Sequence, residues 1–398
     1  MDFLFEAGKL REELVANRRC LHQNPELGFE LPETVALVKR RLSEYGCKNI
    51  QDCAGGVVST IGQGKRTVLL RADMDALPMR EESGLLFASG NGCAHSCGHD
   101  LHTAMLLGAA RLLCSMENDL KGCVKLLFQP AEETASGAAA MLEAGALDFP
   151  RVNVAVGMHV ALLARSGLVA FGAGCRSFSF DRFRITVTGK GGHGAAPHKA
   201  VDSILVASHI YLAMQELVSR ECCPEQAAVC TVGSIHAGDS ANSIPQSAVM
   251  EGTLRAYEPE IRRLMVRRLP EICGGVASAF RAEARVEFLG GIPAVYNHER
   301  LTARMGAYAV ELLGEGNAVE TPERINASED FANISERVPA VYFTIGAGGK
   351  EEGYLYGTHT PQARFDENIL PTGAALYAYC AKRWLEDQEE EDARADTV

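Results

Sequence analysis

The chain has 398 residues, 47% hydrophobic and 23% charged, an ordinary globular composition that excludes a wholly disordered or collagen-like polymer and leaves room for two domains. Its 39 Lys and Arg against 51 Asp and Glu give a net charge of −12, which argues against a nucleic-acid partner, because a phosphate backbone is bound by clustered cations. The absence of a run of about 18 apolar residues leads us to expect no membrane-spanning helix and no membrane partner.

The opening MDFLFEAGKLREELVANRR reads as one amphipathic helix, not a signal peptide, since no basic segment leads into an apolar core. Residues 32–45 carry Val35, Val38 and Leu42 on one helical face and stop at Gly46. Residues 57–61 and 67–71 read as strands around the turn Gly62-Gln63-Gly64. A helix over 101–114, a strand over 123–129, a helix over 135–144 and a strand over 152–158 follow. This alternation argues for an α/β sheet with parallel pairs.

The middle of the chain differs. A strand over 182–188 runs into Gly189-Lys190-Gly191-Gly192-His193-Gly194, then come a helix near 201–218, strands near 227–235 and 248–257, a basic helix near 259–280 and a strand near 284–289. A strand over 341–345 and a helix over 370–385 return to the first pattern. The expected fold class is therefore α/β, with a mixed-sheet domain built from residues 1–179 and 293–398 and an α+β domain inserted at 180–292. The acidic residues 386–398 read as a solvated, irregular tail. Thirteen cysteines without a framework of spacings suit reduced thiols and a cytoplasmic location.

Chemistry-bearing residues fall after the strands of the first domain. Asp73 and Asp75 follow the strand at 67–71, Glu132 and Glu133 the strand at 123–129, and His159 the strand at 152–158. His359 follows the strand at 341–345 after a glycine-rich stretch, and His95-Ser96-Cys97-Gly98-His99-Asp100 leads into a helix. Ligands of open α/β sheets bind outside the carboxyl ends of strands. Carboxylate, imidazole and thiolate gathered there make a transition-metal site, and a Glu-Glu pair suits metal-assisted hydrolysis with one carboxylate ligating and its neighbour moving a proton. Each piece alone has a blander reading. Two acids favour a helix N-terminus, and a histidine after an apolar strand is commonly a hydrogen-bonded core residue. His22 and His209 read as ordinary helix residues and His102 as packing. The weight lies in the co-occurrence.

The motifs RRCLHQNPELGFE, RADMDALP, AHSCGHDLHTAML, LFQPAEE, VGMHV, GKGGHGAAPH, ANSIPQSAV, GTLRAY, SEDFANI and YGTHTP, in that order, resemble the M20 family of metallopeptidases and amidohydrolases. The similar branch contains hippurate hydrolases, indole-acetyl-amino-acid hydrolases and N-acetyl-diaminopimelate deacetylases. The resemblance implies a two-domain metallopeptidase fold whose inserted domain serves as lid or dimerisation domain, and a homodimer. It implies two divalent metal ions, zinc or manganese with cobalt or nickel as further options. Cys97, His99, Glu133, His159 and His359 match the five metal ligands, with Cys97 in place of the bridging carboxylate of other branches. Glu132 matches the general base, and His193 the oxyanion-stabilising histidine that the partner supplies in dimeric members. Asn242 and Arg255 match positions that bind the substrate's carbonyl and carboxylate. Asp75 and Asp100 are candidates to orient ligand histidines. Where other branches open the site with His-x-Asp, this chain has Asp73-Met74-Asp75.

The function implied is hydrolysis of N-acyl-amino acids, N-acetyl or N-benzoyl, to a carboxylic acid and a free amino acid. The alternatives are a dipeptidase or carboxypeptidase of the same fold, or an N-acetyl-diaminopimelate deacetylase. Two rivals of other classes are a metal-free cysteine hydrolase using Cys97 with His99 and a non-catalytic binding protein. The full set of candidate ligands and Glu132 argue against the latter.

Overall fold

Apolar strands that are covered on both faces carry near-continuous runs of buried residues, and four such runs form the centre of the main sheet. In the computed structural model, which describes residues 1–395, the strands Cys123–Gln129, Thr67–Asp73, Val154–Ala161 and Ala340–Gly346 lie side by side and mutually parallel. Every residue of Thr67–Asp73 and of Cys123–Gln129 is buried. Gly56–Ile61 and then Lys48–Cys53 extend the sheet antiparallel on one side. On the other side Val169–Phe171 pairs antiparallel with Ala340–Gly346, and Ala318–Glu320 closes the edge. The four parallel strands therefore end at one edge, which is where the candidate residues follow.

The chain separates into two compact units. The first comprises Met1–Gly174, Tyr296–Glu323 and the chain from Asp330 onward, and the second comprises Cys175–Val295 with Arg324–Glu329. The core of the first unit surrounds the helix His99–Cys114, in which every residue from His99 to Ala110 is buried. Gly108 makes that packing feasible. A Cβ there would lie 2.7 Å from Ala374 Cβ and 2.7 Å from Leu14 Cδ2, on the helices Leu370–Ala395 and Arg11–Gln23.

The second unit has its own sheet, ordered Ala228–Ala237, Ser247–Ala256, Phe180–Thr188, Glu283–Ile292, with all neighbours antiparallel. Buried and exposed residues alternate along Phe180–Thr188 and Ser247–Ala256, as expected of strands with one covered face. The helices Ser203–Ala213 and Pro259–Ala279 supply the cover, with Val206, Ile210, Met265, Leu269 and Cys273 packed on Phe183, Ile185 and Met250.

Three expectations are corrected. The amino-terminal helix is two helices, Phe3–Lys9 and Arg11–Gln23, separated at Leu10, and Asp2 caps the first by accepting from the Phe5 amide. The helix expected to run to residue 218 ends at Ala213 and is followed by a π-helical turn, Leu217–Glu221. The acidic segment is helical up to Ala395, because its acids find partners: Glu386 pairs with Lys382, Glu391 with Arg304, and Asp387 accepts from the Tyr308 hydroxyl. Residues 396–398 of the expected tail lie outside the described residues. Among the described residues no helix is long and apolar enough to cross a membrane.

A buried ionic network ties the helix Arg11–Gln23 to the start of the helix His99–Cys114. Arg18 Nε donates to Asp100 Oδ2 at 2.9 Å, and Arg18 Nη1 lies 3.0 Å from Glu367 Oε1. His22 sits between two carboxylates, Nδ1 at 2.8 Å from Asp100 Oδ2 and Nε2 at 3.0 Å from Glu81 Oε1. Burial opposes its charge, but Asp100 and Glu81 outweigh burial and raise the ring's pKa from 6.5 to about 9. A folded value above the unfolded one means the charged ring's stabilisation is complete below about pH 6.5 and is lost as pH rises through about 9. The Tm advantage of wild type over His22→Gln should therefore be larger at about pH 6 than at about pH 10. An advantage independent of pH over that range would show that His22 contributes by packing alone.

Candidate functional site

Each candidate residue of the first unit is placed by an identifiable backbone device. Cys97 and His99 flank Gly98, which has φ +91°, a conformation glycine adopts without strain. A Cβ on Gly98 would meet Val160 Cγ2 at 2.4 Å, so Cys-Gly-His is the sequence that lets this turn press against the strand of His159. His159 lies inside the strand Val154–Ala161, not after it as expected, because pairing with Ala340–Gly346 continues as far as Ala161. Glu132 and Glu133 lie in a turn bounded by Ala131 at φ +55° and Ala135 at φ +54°. Asp75 holds that turn, Oδ1 accepting from the Glu132 amide at 3.0 Å and Oδ2 from the Glu133 amide at 3.1 Å. His359 has φ +59°, and its amide donates to the Ser96 carbonyl at 3.0 Å.

These devices bring five side chains and Glu132 together. Cys97 Sγ is 3.5 Å from His159 Nε2. His99 Nε2 lies 3.8 Å from Glu132 Oε2 and 3.9 Å from Glu133 Oε1, and His359 Nε2 lies 3.4 Å from Glu133 Oε2. Cys97, His99 and His159 form one group whose donor atoms lie within 4.8 Å of one another, and Cys97, Glu133 and His359 form a second. The thiol is common to both. Each ligand candidate is buried or half-buried except His359, which is exposed.

Tautomers and orphaned atoms indicate what the cluster accommodates. His159 Nδ1 donates to the Val160 carbonyl at 2.7 Å, leaving the Nε2 lone pair facing Cys97. Burial, reinforced by His102, pushes His159 down to about 3, so the ring is neutral. Both ring nitrogens of His99 and Glu133 Oε1 are buried without a hydrogen-bond partner; His99 Nδ1 approaches Asp75 Oδ1 only at 3.4 Å. Burial pushes the Cys97 thiol up. Unpaired buried nitrogens, a desolvated thiol and carboxylates facing one another form a donor set that fits divalent transition-metal ions.

Around the cluster lies a shell of further buried acids and histidines. Asp73 Oδ1 is 2.5 Å from His102 Nδ1, and His102 Nε2 accepts the Val160 amide at 2.9 Å, which orients the residue next to His159. His102 is thus more than packing. Its position three residues after His99, on one helical face, was the available signal. Asp100 turns to Arg18 and His22 and bonds no candidate ligand histidine, a correction to its expected orienting role. His95 is buried with both nitrogens unpartnered, and burial pushes it down to about 4.

Three candidates lie in the second unit. His193 pairs with Ser243 in a short antiparallel ribbon, and the Gly194 amide donates to the Asn242 carbonyl at 2.9 Å, so His193 and Asn242 share one structure. His193 is exposed, and its Nδ1 accepts the Ala195 amide at 3.1 Å, which leaves the proton on Nε2 in the neutral ring. Asn242 Oδ1 accepts from Ser240 Oγ at 2.7 Å. Arg255 donates from Nη1 to Ser328 Oγ at 2.8 Å and lies over the Phe180 ring, and burial lowers its pKa. Among the described residues it pairs with no carboxylate.

The model of peptidase family M20/M25/M40 matches residues 69–383. The chain belongs to this family. Among curated M20 relatives, an IAA-amino acid hydrolase ILR1-like 5 of Arabidopsis thaliana is 39% identical over 94% of this chain and 87% of that one. An N-acetyl-L-cysteine deacetylase of Bacillus subtilis (strain 168) is 38% identical over 96% and 90%. A thermostable carboxypeptidase 2 of Saccharolobus solfataricus is 33% identical over 94% and 95%. The crystal structure of the Bacillus subtilis YXEP protein, described as a dinuclear metal binding peptidase of the M20 family, superposes with a TM-score of 0.83 at 32% identity, covering 95% of this chain and 99% of that one.

The Asp75 carboxylate supports the M20 Glu-Glu turn from beneath with two bonds. Asp75→Ala strands two amides and should cost about 2–4 kcal/mol in urea unfolding. Asp75→Asn, which retains one acceptor oxygen, should lose less. Equal losses would show that the two amides find other partners.

Proposed function

We propose that this chain is a divalent-metal amidohydrolase that cleaves the amide of N-acyl-amino acids, N-acetyl or N-benzoyl, to a carboxylic acid and a free amino acid. The observation that carries the reading is the pair of donor groups, Cys97/His99/His159 and Cys97/Glu133/His359, that share one thiol beside a further carboxylate, Glu132. Cys97, His99, Glu133, His159 and His359 would hold two divalent ions, zinc or manganese. When bound, such ions polarise the scissile carbonyl and make water acidic enough to attack at neutral pH.

The remaining work falls to side chains. Glu133 spans His99 and His359, which supports it as a ligand; Glu132, next to it in the turn and 3.8 Å from His99, is then the carboxylate that serves as base. Glu132 accepts the proton of the attacking water and returns it to the leaving amine nitrogen. As the water attacks, before the amine leaves, negative charge grows on the carbonyl oxygen and calls for a donor. His193 is the candidate, supported by its exposed Nε2–H tautomer. Asn242 keeps its amide nitrogen to donate to a carbonyl, because its oxygen is engaged by Ser240. Arg255, with no carboxylate of its own, suits the substrate's carboxylate, which a planar guanidinium can bond twice.

Two further elements belong to this reading. A homodimer is supported by apolar residues exposed on the second unit's helix Ser203–Ala213, namely Ile204, Leu205 and Leu212. Thirteen free cysteines support a reducing, cytoplasmic setting.

Glu132→Gln should retain metal by elemental analysis and lose kcat by about 100-fold or more, the scale of a positioned acid–base group. Glu133→Gln should lose metal. Unchanged metal in both, with activity lost only in Glu133→Gln, would exchange the two roles. A carboxypeptidase reading is favoured by the Saccharolobus relative, and a substrate panel separates the two. N-acetyl- and N-benzoyl-amino acids should be hydrolysed with higher kcat/KM than dipeptides bearing a free α-amine, and the reverse order would establish the peptidase. Activity that survives chelation would indicate attack by the Cys97 thiolate instead.

A further inference from the structure

Away from the metal cluster, two thiols meet. Cys47 follows Gly46 in the connection between the helix Pro32–Glu44 and the strand Lys48–Cys53, and Cys114 is the last residue of the site helix His99–Cys114. They are 67 positions apart in sequence, yet their sulfurs lie 3.1 Å apart and both residues are half-buried. The pair is held from both sides. The Cys47 amide donates to the Leu42 carbonyl at 3.0 Å, and Lys48 Nζ lies 3.3 Å from Glu117 Oε2 just beyond the helix end. Two small apolar residues in ordinary packing have no need to approach so closely. A bond of about 2.05 Å requires a further approach of about 1 Å, within reach of side-chain adjustment.

We propose that Cys47 and Cys114 form a reversible disulfide when the protein meets a two-electron oxidant of the hydroperoxide class. In the first step the Cys114 thiolate attacks a peroxide oxygen and the O–O bond breaks, giving Cys114 sulfenic acid and, from hydrogen peroxide, hydroxide that takes up a proton as water. In the second step the Cys47 sulfur attacks the sulfenic sulfur, the S–O bond breaks, the Cys47 proton leaves with the oxygen, and a second water departs. Two thiols are oxidised by two electrons in total, and one peroxide is reduced to two waters. Either sulfur can donate in their contact; with Cys47 as donor, that hydrogen bond, helped by Arg111 and Lys48, outweighs burial and the nearby Glu117 and holds Cys114 below its ordinary range, which makes Cys114 the better first nucleophile. The step uses none of the metal ligands, so it stands or falls independently of the hydrolase reading.

The test treats the metal-loaded protein with stoichiometric hydrogen peroxide, blocks remaining thiols with iodoacetamide and maps peptides without reduction. The expected product is a Cys47–Cys114 linked peptide lighter by two hydrogens than its parts, released by dithiothreitol and absent from Cys114→Ser and Cys114→Ala. In Cys47→Ser, Cys114 should be trapped as sulfenic acid and captured by dimedone. Recovery of both residues as alkylated thiols at a dose that oxidises the exposed Cys20 and Cys223 would overturn the proposal. So would their separate conversion to sulfinic acids. Dimedone capture at Cys47 in Cys114→Ser, with none at Cys114 in Cys47→Ser, would overturn the order of the two steps.

Discussion

A guanidinium with no access to water organises the sheet edge on which the site stands. Arg71 is fully buried; Nη1 donates to Asp73 Oδ2 at 2.7 Å, Nη2 to Asp330 Oδ1 at 3.0 Å and Nε to Gln129 Oε1 at 2.9 Å. A charge placed there alone would be prohibitive, and removing one carboxylate from such a group is strongly destabilising. The pairing therefore obliges Asp73, the end of the neighbouring strand at Gln129 and the distant Asp330 to occupy fixed positions. Asp73 then has one oxygen left for His102, which in turn receives the Val160 amide. Placement of His159 is thus linked, through a short series of hydrogen bonds, to a charge pair assembled from remote parts of the chain.

Backbone strain gathers at the same edge. Ala131, Ala135 and His359 occupy the left-handed region with side chains that disfavour it, at roughly 1 kcal/mol or more each. Each is held by a bond from outside its own turn or across it. The Ala131 amide donates to Gly28, the Ala135 amide to Glu132 and the His359 amide to Ser96. The turn of Glu132 and Glu133 lets two adjacent carboxylates approach the same ring, His99, whereas a regular strand would send them to opposite faces.

Much of this was legible in the sequence where local physics and burial agree. The strand Cys123–Gln129 reads directly, because a strand covered on both faces is nearly all apolar, broken here by Lys125 and ended by Gln129. Glu132, Glu133, His159 and His359 were legible from their places at or beyond the ends of such runs, and Cys97 and His99 from their place at the start of a helix. What was not legible depends on partners distant in sequence. The strand of His159 extends because a neighbouring strand offers it further pairs. The acidic segment is helical because Arg304 and Tyr308 lie opposite it. Asp100 faces Arg18 and His22 because the amino-terminal helix packs on its side of the site helix, and nothing near Asp100 in sequence signals that. His22, an ordinary helix residue by its pattern, proves to be a charge clamp.

The burial of the helix His99–Cys114 has a dynamic consequence. Helices that lie on a surface fray or lift locally, and their amides exchange with solvent at modest free energies. From His99 to Ala110 this one has no solvent-facing side from which to do so. Its amides are sealed in the interior of the first unit, so their exchange reads the cooperative opening of that whole unit. His99 begins this sealed helix, so one ligand candidate is carried by an element that has no route to open apart from the unit around it.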